Sequence, residues 1–438
     1  GEPPLFAVVA NGDEEGVELL LTAGCEIDSR DRDKSSVLHV AAFMGHTEMI
    51  DLLIQRQADL YAVNSTGHTC LHTACRNGHV DVVRRLIALG GERLVLMQTN
   101  TGWLCTHSAA QNGHFKVLEV LLQVACEQQL STQTNTGWYC VHTAAQNGHV
   151  RAIRLILQTG GNQQLLNKTN DLRTTCFHMA AIFGHVEIMR ELIAMGHASL
   201  MSKVSRDAST CAFTACTHGH AAILQLIAET VGTDLLTEEG IIPLHLASQY
   251  GNLQVFELLV EKAGKEQVAS CTAAGDSCLL LAAANGHVNV VGRLLEEMPS
   301  LVEVANDKGE SCVYAAASNG HVPVLRDLLR SASRESLLRG IKDGGFTSAH
   351  MAAVMQNGRL DVLEYLVSVG GRQALSARTV DGKSCLHAAS QGGRVEEMKV
   401  MMSVLDFDDL LLTDNHGKSC LHVAVQQGHA GIVEVLLG

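Results

Sequence analysis

Nowhere in the 438 residues does an apolar run approach the roughly 20 residues that a membrane-spanning helix needs. The opening stretch, Gly1 to Asn11, has neither the basic start nor the cleavage site of a secretory signal. No initiator Met is present, so an excised or processed segment is expected. Positive charge is also scarce: 32 Lys and Arg against 46 Asp and Glu leave a net charge of −14. That sign repels phosphate, and no local basic face offsets it, which argues against nucleic acid as a partner. The glycine-rich phosphate loop, the dinucleotide fingerprint and the zinc-protease helix motif are all missing. No catalytic activity, cofactor, metal or small-molecule substrate is therefore expected. Tryptophan is confined to two residues, Trp103 and Trp138.

What is present is 46% apolar and 18% charged, ample for a large core. It is written as one copied unit, clearest from Thr69 to Leu89. Thr69 is placed to cap a first helix in which Leu71, Ala74 and Cys75 share a face. Asn77-Gly78 stops it, because glycine takes the left-handed conformation without a Cβ clash. A second helix follows, with Val82, Val83, Leu86 and Ile87 inward and Asp81, Arg84 and Arg85 outward. Neither helix is long enough to stand alone, so the unit requires neighbours.

Positions equivalent to His72 are Phe6, His39, His107, His142, His178, Phe213, His245, Leu280, Tyr314, His350, His387 and His422, at intervals of 32 to 37 residues. That makes thirteen copies and leaves no stretch for another domain. The expected architecture is a single solenoid over 1–438, with an atypical capping repeat at 1–30 and a possibly truncated last repeat at 413–438. In the first copy Phe6 and Asp13 replace two recurring histidines, as suits a cap. From the fourth copy onward the surplus length falls after the second helix, as at Gly90-Gly91-Glu92-Arg93 and Gly370-Gly371-Arg372-Gln373, and predicts an extra turn at the rim. One residue inserted near Met355-Gln356 predicts a bulge. The chain stops at Leu437-Gly438 without a polar closing unit, so either it continues beyond Gly438 or this copy is an imperfect cap.

The copied words carry a resemblance. Ile242-Pro243-Leu244-His245-Leu246-Ala247 is close to T-P-L-H-x-A, and Thr69-Cys70-Leu71-His72, Ser384-Cys385-Leu386-His387 and Ser419-Cys420-Leu421-His422 are variants of it. A Gly-His pair before an apolar pair recurs at Gly45-His46, Gly78-His79, Gly113-His114, Gly148-His149 and five later places. Over its whole length the sequence resembles the ankyrin-repeat family. The resemblance implies an all-α solenoid of antiparallel helix pairs, each preceded by a β-turn finger, whose fingers and first helices line a partner-binding concave face. It also implies that the first histidine of a copy bonds the Thr hydroxyl and a neighbouring finger backbone.

Nine of the fourteen cysteines occupy the slot where that family usually has proline, and six of them form Cys-x-His. Residues two apart on a helix point about 200° apart, and stacked helices lie about 8–10 Å apart. Neither a shared zinc ion nor a disulfide suits that geometry. Buried thiols in a reducing, cytoplasmic setting are the reading. Eighteen of the 22 histidines fall in the two copied slots and read as structural. His68, His197, His218 and His416 read as ordinary surface residues.

Function is then sought where copies differ. The column after the finger glycine holds Trp103 and Trp138 in consecutive copies, with Tyr139 beside the latter; two exposed tryptophans there would mark a partner site. The other reading is that each ring folds back on its own finger or onto the next. A second column, on the first helix, holds Phe43, Arg76, Gln111, Gln146 and Ile182 in copies two to six and shrinks to Ala284 and Ser318 later. The expectation is a non-catalytic scaffold or adaptor. It would take a protein or an extended peptide stacked on the tryptophans, with Gln111 and Gln146 bonding the peptide backbone. A tether or regulatory segment of a larger membrane-associated or signalling protein is the alternative, with any membrane contact through an unseen region or partner.

Overall fold

Thr69 shows how each unit starts. In the computed structural model its backbone is extended, and its side chain accepts the His72 N–H at the head of the Cys70–Asn77 helix. Gly78 then closes that helix at φ 79°, and Val80–Val95 runs back. Residues 3–160, 170–207, 209–232, 243–333, 341, 344–354 and 360–438 are described. Within them the pattern recurs as thirteen helix pairs, from Pro4–Ala10 with Glu14–Thr22 to Cys420–Gln427 with Ala430–Leu437. There is no strand among the described residues beyond three isolated bridges, such as Ala305 with Ser311. Met355-Gln356, where a bulge is expected, and Ile241 and Ile242 lie outside the described residues.

The chain divides into two compact units, Gly1–Ala215 with Ala222–Gly232, and Cys216–Ala221 with Thr233–Gly438. In the first, the helices Val37–Met44, Cys70–Asn77, Cys105–Gln111, Cys140–Gln146 and Cys176–Phe183 pack in sequence, each on the next. In the second, Pro243–Tyr250, Cys278–Ala284, Cys312–Asn319, Ser348–Val354, Cys385–Gly392 and Cys420–Gln427 do the same. Small residues permit the close stacking: Ala74, Ala109, Ala144, Ala180 and their counterparts are fully buried. Leucines and valines such as Leu71, Val83 and Leu118 fill the space between, each worth roughly 1.5–3 kcal/mol on burial. In the first copy Phe6 lies in the core, and Asp13 caps the second helix by accepting the Gly16 N–H at 2.9 Å.

The rim insertions are helical and packed. Gly91 (φ 56°, ψ −155°) and Gly371 (φ 54°, ψ −145°) break the second helix, and the turn beyond each buries Leu94 and Val95 or Ala374 and Leu375. Elsewhere short turns such as Ala198–Ser202 and Pro299–Glu303 bury Met201 and Leu301 in the same way. The cysteines explain how these turns are held. Cys211 Sγ donates to the Met201 carbonyl at 3.2 Å, and Cys312 Sγ to that of Val302 at 3.3 Å. Cys70 and Cys420 make longer versions to Leu60 and Leu410. A proline in this slot has no donor to offer. All fourteen thiols are free, and burial pushes those of Cys70, Cys176, Cys211 and Cys385 up to about 12, well away from thiolate reactivity.

Two sets of histidines tie copy to copy. In the first, Nδ1 of His72 accepts the Thr69 backbone N–H at 3.3 Å and hydroxyl at 2.9 Å, so the ring proton sits on Nε2 and is donated to the Trp103 carbonyl at 3.1 Å. His39, His178, His350 and His387 repeat this with the carbonyls of His68, Ser209, Lys383 and Lys418. In the second set, Nε2 of His79, His114, His149 and His185 reaches the last turn of the preceding copy's first helix, at the carbonyls of Phe43, Arg76, Gln111 and Gln146 (2.8–3.0 Å). Those carbonyls have no partner within their own helix. Of the four histidines read as ordinary surface residues, His218 and His416 are exposed, but His68 and His197 are partly buried.

Two outcomes follow. Replacing His72 by Ala leaves the buried Thr69 N–H without its acceptor and takes one of two donors from the Trp103 carbonyl, and should cost about 2–3 kcal/mol, read as a lowered urea midpoint. His422→Ala, on an exposed ring, should cost under about 1 kcal/mol. Burial lowers the affinity of His39, His107, His178, His350 and His387 for a proton, His107 to about 4 from 6.5. Above pH 6.5 folded and unfolded rings are both neutral. Below it the unfolded rings protonate first, so stability should fall steeply from pH 6.5 towards 4 in a thermal-midpoint titration, and it should fall again above about pH 9, where unfolded thiols ionise and the buried ones do not.

Candidate functional site

Copies four and five share the words Gln-Thr-Asn-Thr-Gly-Trp, at 98–103 and 133–138, and fold them identically. Thr99 N–H donates to the Trp103 carbonyl at 2.9 Å, and Trp103 N–H donates to Thr99 Oγ1 at 3.0 Å. Thr134 and Trp138 repeat both bonds at the same lengths. The tryptophan carbonyls also receive His72 Nε2 (3.1 Å) and His107 Nε2 (3.2 Å) from the copy before. Each tryptophan backbone is thus clamped from its own finger and from its neighbour. Asn100 and Asn135 link fingers as well, donating through N–H to Thr66 and Thr101 and through Nδ2 to Ser65 and Asn100.

The rings are half-buried, not fully presented. Trp103 lies on His107 with centroids 5.8 Å apart, and Trp138 on His142 at 6.1 Å, edge-on. Each ring has therefore turned onto the histidine of its own copy, and part of it stays open to solvent. Tyr139 also packs on His142, at 5.7 Å, and its hydroxyl accepts a bond from Gln133 Nε2 at 2.6 Å. Sequence reading passed over His68, which occupies the same column one copy earlier. It sits edge-on to His72 at 5.5 Å, and burial pushes it down to about 4, so it is a neutral ring. Its column position was the available signal. Copies three, four and five therefore carry a row of three ring pairs.

The helix column is placed as follows. Phe43 is 55% exposed, Arg76 and Gln111 are exposed, and Gln146 and Ile182 are half-buried. The Gln111 and Gln146 carbonyls accept the second-set histidines, which fixes where the side chains start, while their amide groups bond no described residue. Phe183, next to Ile182, is 45% exposed and stacks on His185, an apolar group the column alone did not reveal. Leu104 and Tyr139 replace the usual hydroxyl cap in these two copies. His107 and His142 still accept the N-cap N–H, each at 3.2 Å, so the helices start unchanged.

Helix hairpins stacked through histidine and finger bonds define a repeat-protein class, and the chain belongs to the ankyrin-repeat family. The family model for ankyrin repeats (three copies) matches residues 5–98, 59–132, 106–204, 177–271, 279–376 and 349–438. Over 97 residues the chain is 34% identical to NF-kappa-B inhibitor alpha of Sus scrofa, covering 21% of this chain and 31% of that protein. Over 82 residues it is 32% identical to serine/threonine-protein kinase 12 of Arabidopsis thaliana, covering 19% of this chain and 18% of the kinase. The chain thus spans less than a third of either relative. Ankyrin repeats are typical protein–protein interaction modules and are generally non-catalytic. No helix among the described residues is long and apolar enough to cross a membrane.

Gly102 ties the site's geometry to backbone freedom. It sits at φ +80°, and an added Cβ would lie 2.6 Å from Asn135 Oδ1 and 2.9 Å from Asn135 N. Gly102→Ala should cost at least roughly 1–2 kcal/mol for the left-handed backbone alone. It should also loosen the two fingers, read as a lower thermal midpoint together with a red shift of tryptophan emission.

Proposed function

We propose that this chain is a non-catalytic scaffold or adaptor that takes a partner protein or extended peptide on the finger and first-helix face of copies two to six. The observation that carries the reading is the pairing of Trp103 and Trp138. They repeat one backbone clamp in consecutive copies, each ring half-buried against its own histidine, beside Gln111 and Gln146 amides that bond no described residue. Aromatic rings held this way contribute contact area at low entropic cost, and amides supply the bonds that an extended backbone needs. Phe43 and Arg76 on one side, and Tyr139 and Ile182 on the other, would extend the contact. The partial likeness to NF-kappa-B inhibitor alpha, a protein named for action on another protein, is in keeping with this. The fourteen free thiols suit a reducing compartment such as the cytoplasm.

Affinity capture from cell extract with the full chain, beside Trp103→Ala plus Trp138→Ala, tests it. The double variant should keep the helical circular-dichroism signal and lose the captured proteins by about tenfold or more, as expected for two aromatic anchors. Identical proteins retained in identical amount would overturn the assignment of this face.

A further inference from the structure

The copied words fail at one place in a way that builds a groove. Copies three to five end the first helix in Asn-Gly-His, and the Asn side chain closes on its own helix. Asn77, Asn112 and Asn147 donate to the carbonyl four residues back at 2.8 Å, and Asn285 and Asn319 do so at 2.9 Å. The following histidine then bonds the preceding copy. Copy twelve instead reads Gly392-Gly393-Arg394. Gly392 contributes no side chain and Arg394 no imidazole, and a cavity of about 490 Å³ lies there within the second unit.

The walls of that cavity are chemically lopsided. Phe346 and Val354 supply apolar surface, Lys383 and Arg394 supply positive charge, and no carboxylate lines it among the described residues, in a chain of net charge −14. Phe346 and Lys383 occupy the same finger column as Trp103 and Trp138. His350 adds no charge, because burial keeps it neutral and its Nε2 already donates to the Lys383 carbonyl at 3.2 Å. Among the described residues Lys383 Nζ has one carboxylate near it, exposed Asp381 at 4.0 Å. Arg394 Nε is closed to solvent and meets no acceptor. What Arg394 and Lys383 present to the cavity is positive charge, and the group that best answers it is a carboxylate.

We infer that this groove is a second interaction surface, one that takes an acidic peptide segment. A Glu or Asp carboxylate would sit between Lys383 and Arg394, with a neighbouring apolar side chain on Phe346 and Val354. The occupant is set by charge complementarity. The inference does not rest on the tryptophan face of the first unit.

The probe is a fluorescein-labelled peptide of alternating Glu and Leu, titrated into the full chain at low salt and followed by anisotropy. Arg394→Gln and Lys383→Gln should each weaken binding about tenfold, the size expected for a lost charge-assisted hydrogen bond. Arg84→Gln, a charge removed from an exposed helix face elsewhere, should leave it within twofold or so. Arg394→His with Gly392→Asn restores the words of copies three to five and should abolish binding while the thermal midpoint holds or rises. Trp103→Ala plus Trp138→Ala should not alter it, which separates this site from the proposed partner face. No binding by the unaltered chain, equal weakening by Arg84→Gln, or equal affinity for a peptide with Gln in place of Glu would each overturn the inference.

Discussion

An imidazole that accepts on one nitrogen and donates on the other is the constraint from which this stack is built. His72 has a proton on Nε2, because a backbone N–H already faces Nδ1. That single proton location closes the N-cap of one copy and reaches the finger of the next. A helix of eight residues would fray alone. Here its first turn is finished by a side chain whose other end is held by a neighbour. Local order and stacking therefore become one event, which is why stability in such a chain runs along nearest neighbours.

The second set of histidines acts at the opposite end of the same helices. Each takes up a last-turn carbonyl of the copy before it, such as that of Phe43 or Gln111. Both ends of a first helix are thus tied across copies, and the side chains it carries outward start from fixed positions. The tryptophan fingers inherit this. Their carbonyls are bonded twice, so an arriving partner would meet a surface whose backbone entropy has already been lost. Copies four and five dispense with a hydroxyl cap, at Leu104 and Tyr139, because the histidine suffices for the N–H.

Departures from the copied words are informative in proportion to what the word was doing. Cysteine for proline adds a donor, and the donor holds the rim turn ten residues earlier, as Cys211 does for Met201. Arginine for histidine at Arg394 removes a tie to the preceding copy and leaves a charged, unsatisfied group beside a cavity. The first substitution strengthens the stack, and the second opens it.

The period, the helix starts and stops and the inward faces were legible in the chain alone, because caps such as Thr69 and glycines such as Gly78 act within a few residues of themselves. The extra rim turns were legible too, as surplus length with Gly-Gly at its start. The columns holding Trp103, Trp138 and Gln111 could be drawn from register. Where the rings lie could not, since Trp103 chooses between solvent and the His107 face, and only packing settles that choice. The half-burial of His68, the thiol bonds to rim carbonyls and the unsatisfied Arg394 were likewise hidden. The histidine and arginine cases turn on neighbours in other copies, some 30 or more residues away for the ladder bonds. Local sequence determines the copied element, whereas the partner of each side chain is decided only when the elements are stacked.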